Sequence, residues 1–404
     1  MVKNAIYAQS GGVTAVINAT ACGVLQTARL YPEKIGKIYA AQNGILGVLS
    51  DELRDTSSDS DETIARLMYT PGGAFGSCRY KLKSEGPEYE QLIRVFKKHN
   101  IGYFFYNGGG DSQDTANKIA QLGASQGYPI TCIGIPKTID NDLPYTDTCP
   151  GFGSVAKYVA ISTLEAGLDV ASMAASSTKV FILEVMGRHA GWIAAASALA
   201  SNHVSEPPHI ILLPEAPFKQ TPFLAKVSEA VKTWGYCVIV VSEGIRNEQG
   251  KFLSEAGIKD SFGHAQLGGV APVIAQLIKQ ELGYKYHWAV ADYLQRAARH
   301  IASAVDLEQA YALGKEAVLL ALQGKNAVMP IIRREADVPY RWSLDHVPLS
   351  EVANQERVVP AEYIAEDGMG VTEACRRYLA PLIQGEAYPP YRDGLPDYLR
   401  AIDK

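Results

Sequence analysis

Paired cysteines are missing from this sequence: Cys22, Cys78, Cys132, Cys149, Cys237 and Cys375 are scattered, with no short repeated spacing. That reads against a zinc module or a redox pair and predicts reduced thiols in a cytoplasmic chain. A basic excess is missing too, since 38 Lys and Arg against 43 Asp and Glu leave a formal net charge of -5. Neither a nucleic-acid partner nor a membrane surface is therefore expected, although a local basic pocket for an anion remains open. No stretch approaches the roughly 20 apolar residues of a membrane span. The opening Met1-Val2-Lys3-Asn4 shows no apolar leader region, so the protein is predicted to be cytoplasmic. What remains is a chain of 404 residues, 47% hydrophobic and 20% charged, long enough for roughly two to three domains.

Short apolar runs alternate with longer helical patterns. Strands are predicted at 5–9, 37–42, 101–106, 129–135, 179–185, 210–213 and 237–241, and helices at 15–30, from 112, at 155–171 and at 272–282. Runs that are apolar throughout imply strands buried on both faces, and helices between them imply parallel βαβ units. The fold class is therefore α/β with mainly parallel sheets. Beyond Asn326 the composition shifts. Residues 333–355 read as charged, proline-containing loops before a helix near 371–382, as surface additions to the core.

In such sheets ligands bind beyond the carboxyl ends of the strands, and the chemistry-bearing residues cluster there. Ser10-Gly11-Gly12 after the first run is either a phosphate-approach loop or a plain turn. In Tyr106-Asn107-Gly108-Gly109-Gly110-Asp111-Ser112, either Asp111 or Ser112 is placed to cap the next helix. Three glycines exceed what a turn requires and cost backbone entropy, which favours a phosphate or metal-phosphate site. The most specific segment is Pro136-Lys137-Thr138-Ile139-Asp140-Asn141-Asp142-Leu143, with a cation, a hydroxyl and carboxylates at the end of an apolar run. A sugar hydroxyl is a weak acid that needs a positioned base when it attacks phosphorus, and Asp serves as that base in kinases. Lys137 supplies positive charge for a transferring phosphoryl group.

Met186-Gly187-Arg188 offers a phosphate-binding arginine beside a glycine that permits close approach, and the neighbouring His189 reads as structural. Glu243 in Ser242-Glu243-Gly244 is placed to hydrogen-bond sugar hydroxyls. Tyr293 and Arg296 in Tyr293-Leu294-Gln295-Arg296 have the helical spacing to face one site.

Taken together, these segments resemble the phosphofructokinase family from Gln9 to about Asp306. The resemblance implies two Rossmann-like lobes with the active site in the cleft between them, and Mg2+ as cofactor. Residues 1–145 with about 295–350 would form the phosphoryl-donor lobe, and 146–294 with about 351–404 the sugar-phosphate lobe. By resemblance Asp140 is the base on the 1-hydroxyl of fructose 6-phosphate. Thr138 orients that substrate, and Ile139, Met186, Gly187, Arg188 and Glu243 line its site. Tyr293 and Arg296 hold the 6-phosphate. Gly12, Arg79 and Lys137 contact the donor, and Asp111 holds the metal. A homodimer or homotetramer is expected.

The donor itself is expected to be pyrophosphate. ATP-using relatives have glycine at the positions of Asp111 and Lys137. A carboxylate where the nucleotide α-phosphate would sit costs roughly 4 kcal/mol at about 4 Å and an effective dielectric near 20. That is roughly a thousandfold in affinity. Three departures from the family stand out. Gly110 replaces a loop carboxylate, Val13 replaces an aspartate, and His287, with Lys285 nearby, stands where a neighbouring subunit's arginine would otherwise reach the phosphate. An ATP-dependent phosphofructokinase, a non-catalytic sugar-phosphate sensor and a lipid- or NAD-kinase-like protein are the alternative readings.

Overall fold

The computed structural model describes residues 2–82, 86–253, 255–259, 265–267 and 269–399, with side chains in 255–259 and 265–267 left out. Met1 and 400–404, the outer ends of the expected lobes, lie outside the described residues. In chain order the strands are β1 (Lys3–Gln9), β2 (Ile35–Ala41), β3 (Leu53–Asp55), β4 (Ile101–Gly108), β5 (Thr131–Pro136), β6 (Val180–Val185), β7 (Ile210–Leu212), β8 (Cys237–Ser242), β9 (Glu255–Lys259), β10 (Ala265–Leu267), β11 (Tyr286–Val290), β12 (Val328–Asp337), β13 (Tyr340–Pro348), β14 (Tyr391–Arg392) and β15 (Leu395–Pro396). Seven of them form one sheet in the order β13-β12-β5-β4-β1-β2-β3. Its centre is parallel, and β3 and β13 close the two edges antiparallel. A second sheet, β11-β6-β8-β7, is parallel throughout.

The apolar runs predict this burial directly. In β1, Ile6 and Ala8 enter one core cluster while Ala5 and Tyr7 enter the cluster on the opposite face. In β6, Leu183 and Val185 point one way and Val180 and Ile182 the other. Strand side chains alternate between faces, so a run that is apolar at every position buries both faces only when helices cover both. The helix Ile17–Arg29 packs against the helix Ala304–Leu322 through reciprocal glycines. A Cβ on Gly23 would lie 2.2 Å from the Tyr311 carbonyl oxygen, and one on Gly314 2.2 Å from that of Thr20. This close crossing returns the chain to the first sheet after it has built the second. All six cysteines are free and buried, and among the described residues no helix is long and apolar enough to cross a membrane.

The reading of 333–355 as surface loops is corrected. β12 lies inside the seven-stranded sheet, pairing with β5 through Val328 and Ile133, and forms a long antiparallel ladder with β13. Met329, Ile331 and Ile332 are fully buried. The charges misled because Arg333–Asp337 continue the strand past the core, where side chains alternate between solvent and partial cover. Arg333 pairs across the ladder with Asp345 at 2.6 Å.

Candidate active site

One cleft of about 1050 Å³ gathers Gly12, Arg79, Asp111, Lys137, Thr138, Ile139, Asp140, Met186, Arg188, Glu243, Tyr293 and Arg296. Gly187 stands next to its lining. Most of these groups sit just past a strand end or at the start of the helix that follows, whereas Arg79 comes from the loop between the helices Asp61–Leu67 and Pro87–Lys98.

Past β1, the backbone N–H of Gly11 donates to the Cys78 carbonyl at 2.9 Å, and the Ser77 hydroxyl donates to the Gly11 carbonyl at 2.7 Å. These bonds fasten the 76–79 loop to the first turn and deliver Arg79 to the cleft. Past β4, the helix Gly110–Ser125 begins with Gly109 at its N-cap and no side-chain cap, so neither Asp111 nor Ser112 caps it. The glycines divide in function. A Cβ on Gly108 would meet Ser112 Oγ at 2.1 Å, a packing requirement, whereas one on Gly110 would meet nothing within 4 Å. Space therefore stands open beside Gly110 at the N-terminus of this helix, where an anion is favoured.

Past β5, Lys137 is only 4% exposed, and its Nζ donates to the Gly12 carbonyl at 2.6 Å. Burial lowers its pKa to about 8, opposed by the carboxylates of Asp140 and Asp142 and assisted by Arg296 and Arg79. Asp140 moves the other way, to about 7, because burial and then the negative charges of Asp142 and Glu243 disfavour ionisation. Its backbone N–H donates to Thr138 Oγ1 at 3.0 Å. Asp142 is also raised, by burial and by Glu356. A general base poised near neutral pH beside a lysine of reduced pKa is the pairing expected of a proton-transfer site.

From the second sheet, Gly187 follows β6 with φ of 129°, and the Ser242 hydroxyl donates to its carbonyl. Glu243 follows β8, its backbone N–H bonded to the Val185 carbonyl at 2.9 Å, and burial raises its carboxyl pKa. Beyond β11, the Arg296 guanidinium lies 3.9 Å over the Tyr293 ring. A Cβ on Gly12 would lie 2.6 Å from Arg296 Nη1 and 3.7 Å from Arg79 Nη2. Arg296 thus reaches from the second-sheet side to the turn after β1. Three cations, Lys137, Arg79 and Arg296, converge there.

Several residues in or beside the cleft escaped the sequence reading. Lys81 Nζ lies 2.8 Å from Asp111 Oδ1; its place two residues after Arg79 in a basic loop was the available signal. His189, read as structural, stands on the cleft wall with its Nδ1 3.1 Å from the Glu356 carboxylate. Asn354, Gln355 and Glu356 complete the lining from the C-terminal stretch, where no motif pointed to them. His287 and Lys285 do not line the cleft; His287 is exposed on β11, and Lys285 bonds Ser177 Oγ at 3.0 Å.

The class these features define is an α/β protein with two mainly parallel sheets sharing one cleft, lined by cations and carboxylates. Residues 4–321 match the family model described as phosphofructokinase, and the chain belongs to the phosphofructokinase family. It is 63% identical over 396 residues to the pyrophosphate–fructose 6-phosphate 1-phosphotransferase of Halomonas elongata, covering 97% of this chain and 94% of that one. It is 64% identical over 400 residues to the protein of the same name in Methylococcus capsulatus, covering 98% and 95%. A crystal structure of the pyrophosphate-dependent phosphofructokinase from Marinobacter aquaeolei superposes with a TM-score of 0.91 at 62% identity, covering 98% of this chain and 95% of that one.

Proposed function

We propose that the protein is a pyrophosphate-dependent 6-phosphofructokinase. It moves a phosphoryl group from pyrophosphate to the 1-hydroxyl of fructose 6-phosphate, giving fructose 1,6-bisphosphate and phosphate, and it runs reversibly. The observation that carries this reading is the buried Lys137 beside Asp140, with Asp111 at the mouth of the glycine-loop helix. It is supported by identities above 60% to relatives named for this reaction.

In this mechanism Asp140 accepts the proton of the 1-hydroxyl as its oxygen attacks the near phosphorus of pyrophosphate. The bond to the bridging oxygen breaks, and phosphate leaves. Lys137 and Arg79 offset the charge of the donor and of the leaving phosphate, and they act strongly because the site is partly withdrawn from water. Thr138 and Ile139 orient the sugar, Met186, Gly187, Arg188 and Glu243 bind its hydroxyl face, and Tyr293 and Arg296 bind its 6-phosphate. Asp111 excludes a nucleotide α-phosphate by charge and bulk.

No three ligating side chains come together among the described residues. This fits magnesium, which binds through one or two carboxylates while substrate phosphates and water fill its remaining positions. Asp111 is the carboxylate that would hold it, and the ion when bound supplies further neutralisation of diphosphate charge.

The same reading assigns donor binding to residues 1–145 with about 295–350, and sugar-phosphate binding to 146–294 with about 351–404. It also includes cytoplasmic residence and a homodimer or homotetramer. The apolar side chains of Trp288, Val290 and Leu294, exposed beside the edge strand β11, support assembly. The deciding experiment measures turnover of fructose 6-phosphate with pyrophosphate and with ATP in separate assays. Strong preference for pyrophosphate is expected, and preference for ATP would overturn the donor assignment.

A further inference from the structure

The matched family region ends at residue 321, yet the chain beyond it enters the catalytic cleft. After β13 and the short helix Leu349–Val352, residues 354–357 run beneath the turn that carries Asp140 and Asp142. Arg357 makes the densest set of contacts. Its Nε and Nη2 donate to the Asn141 carbonyl at 3.1 and 2.9 Å, and its Nη1 donates to the carbonyls of Thr146 and Asp147 at 2.7 and 2.9 Å. Its backbone N–H donates to the Asp142 carbonyl at 2.7 Å. The guanidinium lies 5.0 Å over the Trp192 ring, whose Nε1 donates back to the Arg357 carbonyl at 3.2 Å.

The residue so held is unusual. Asn141 is fully buried with φ of 53°, the left-handed region. Its side chain is fixed by Tyr378, also from beyond residue 321, and by the Cys149 backbone N–H. Non-glycine residues in this region persist where their surroundings over-determine them. The Asn141 peptide lies between the two carboxylate-bearing residues, so its orientation sets the directions in which both side chains leave the backbone. Apart from the backbone bond to Asp142, the guanidinium itself makes four hydrogen bonds to three carbonyls, those of Asn141, Thr146 and Asp147. They match the rigid multi-donor fork of arginine, which a lysine cannot reproduce.

We propose that Arg357 is a positioning residue for phosphoryl transfer, fixing the Asn141 peptide so that Asp140 meets the 1-hydroxyl of the sugar. This rests on the reading of Asp140 as the base. A displacement of about 1 Å at a reacting group costs on the order of 100-fold in rate. Arg357→Met in the full chain is therefore expected to lower kcat about 100-fold, leave KM for fructose 6-phosphate within a few-fold, and move the acid limb of the pH–rate profile, with Arg357→Lys recovering part of kcat.

A role in folding alone would lower active protein in proportion to loss of the thermal transition. It would leave kcat per folded molecule and the acid limb of the surviving fraction unchanged, and that result overturns the proposal. If Arg357→Met is too unstable to purify, Arg357→Lys carries the test: wild-type kcat in that variant also overturns it. Asp140→Asn is measured alongside. Loss of turnover there, with wild-type kcat and acid limb in the Arg357 variants, sinks the positioning role alone. Full turnover in Asp140→Asn removes the base on which the proposal rests.

Discussion

The ammonium of Lys81 lies 2.8 Å from one carboxylate oxygen of Asp111, at the entrance of the helix that follows the glycine loop. Both side chains are substantially exposed, so the pair itself contributes little to stability. Its importance is to the donor. A bare carboxylate would repel a nucleotide phosphate by its full charge, whereas one held by a lysine repels less and excludes more by bulk.

Donor choice should respond to this pair in opposite directions. Removing the carboxylate with Asp111→Gly leaves Lys81 available to nucleotide phosphates. The ratio of kcat/KM for ATP to that for pyrophosphate is expected to rise about 100-fold, below the thousandfold of an unpaired charge. Lys81→Ala restores the full repulsion and should lower the same ratio. Parallel assays with both donors provide the check, and an unchanged ratio in Asp111→Gly would remove Asp111 from donor selection.

Asp140→Ala should reduce turnover by about 10²- to 10⁴-fold, the range of a general base. Binding of fructose 6-phosphate, followed by calorimetry, should stay within a few-fold of wild type. A non-catalytic sugar-phosphate sensor would show no turnover to lose.

The pH profile follows from two opposed shifts. With Asp140 raised to about 7, kcat/KM falls below neutrality as the base takes up a proton. With Lys137 lowered to about 8, affinity for pyrophosphate falls at higher pH as the ammonium is lost. A narrow bell between these limits is expected. Its alkaline limb should move upward in kcat, because bound diphosphate favours the charged lysine. The same groups set stability. Asp140 holds a proton when folded that the unfolded chain has released, so stability falls as pH rises from about 4 to 7, and Asp140→Asn should flatten that slope. Thermal melts across this window measure it.

Arg296→Ala removes a guanidinium that lies over the Tyr293 ring and beside Gly12. The loss of charge-assisted hydrogen bonds, about 1.5–3 kcal/mol, should raise KM for fructose 6-phosphate by about 10- to 100-fold. Because Arg296 also lies beside Gly12 and Arg79, KM for pyrophosphate should rise as well. A rise for the sugar alone would confine Arg296 to the 6-phosphate.

Gly187 combines φ of 129° with the Ala190 carbonyl oxygen 2.6 Å from where a Cβ would stand. Gly187→Ala should cost about 1–3 kcal/mol from backbone strain alone, visible as a lowered Tm. A wild-type melt would show that the turn can relax.

Much of this was legible in the sequence because the signals were local. Uninterrupted apolar runs gave β1, β5, β6 and β8, and residues immediately after them form the cleft. The segment 136–143 carried its chemistry in consecutive positions. What escaped was non-local or disguised. Arg333 and its charged neighbours read as loop because charge marks solvent, yet a strand that outruns its core alternates charge with cover. Lys81 and Arg357 reach their partners through tertiary approach, and the spacing of Arg357 in its own segment resembles that of any surface arginine.

The main sheet also constrains how the chain acquires its shape. The Cys132 backbone N–H donates to the side-chain oxygen of Asn326 across 194 residues, and β12 completes the sheet beside it. On a ribosome the strand at 131–136 emerges long before its neighbour, and the whole second sheet is made in between. Until β12 is synthesised, β5 presents an unpaired apolar border, the kind of surface on which nascent chains stick to one another. Folding should therefore be slow, late and dependent on chaperone cover. Chains truncated after 321 should aggregate even though they contain the whole matched family region.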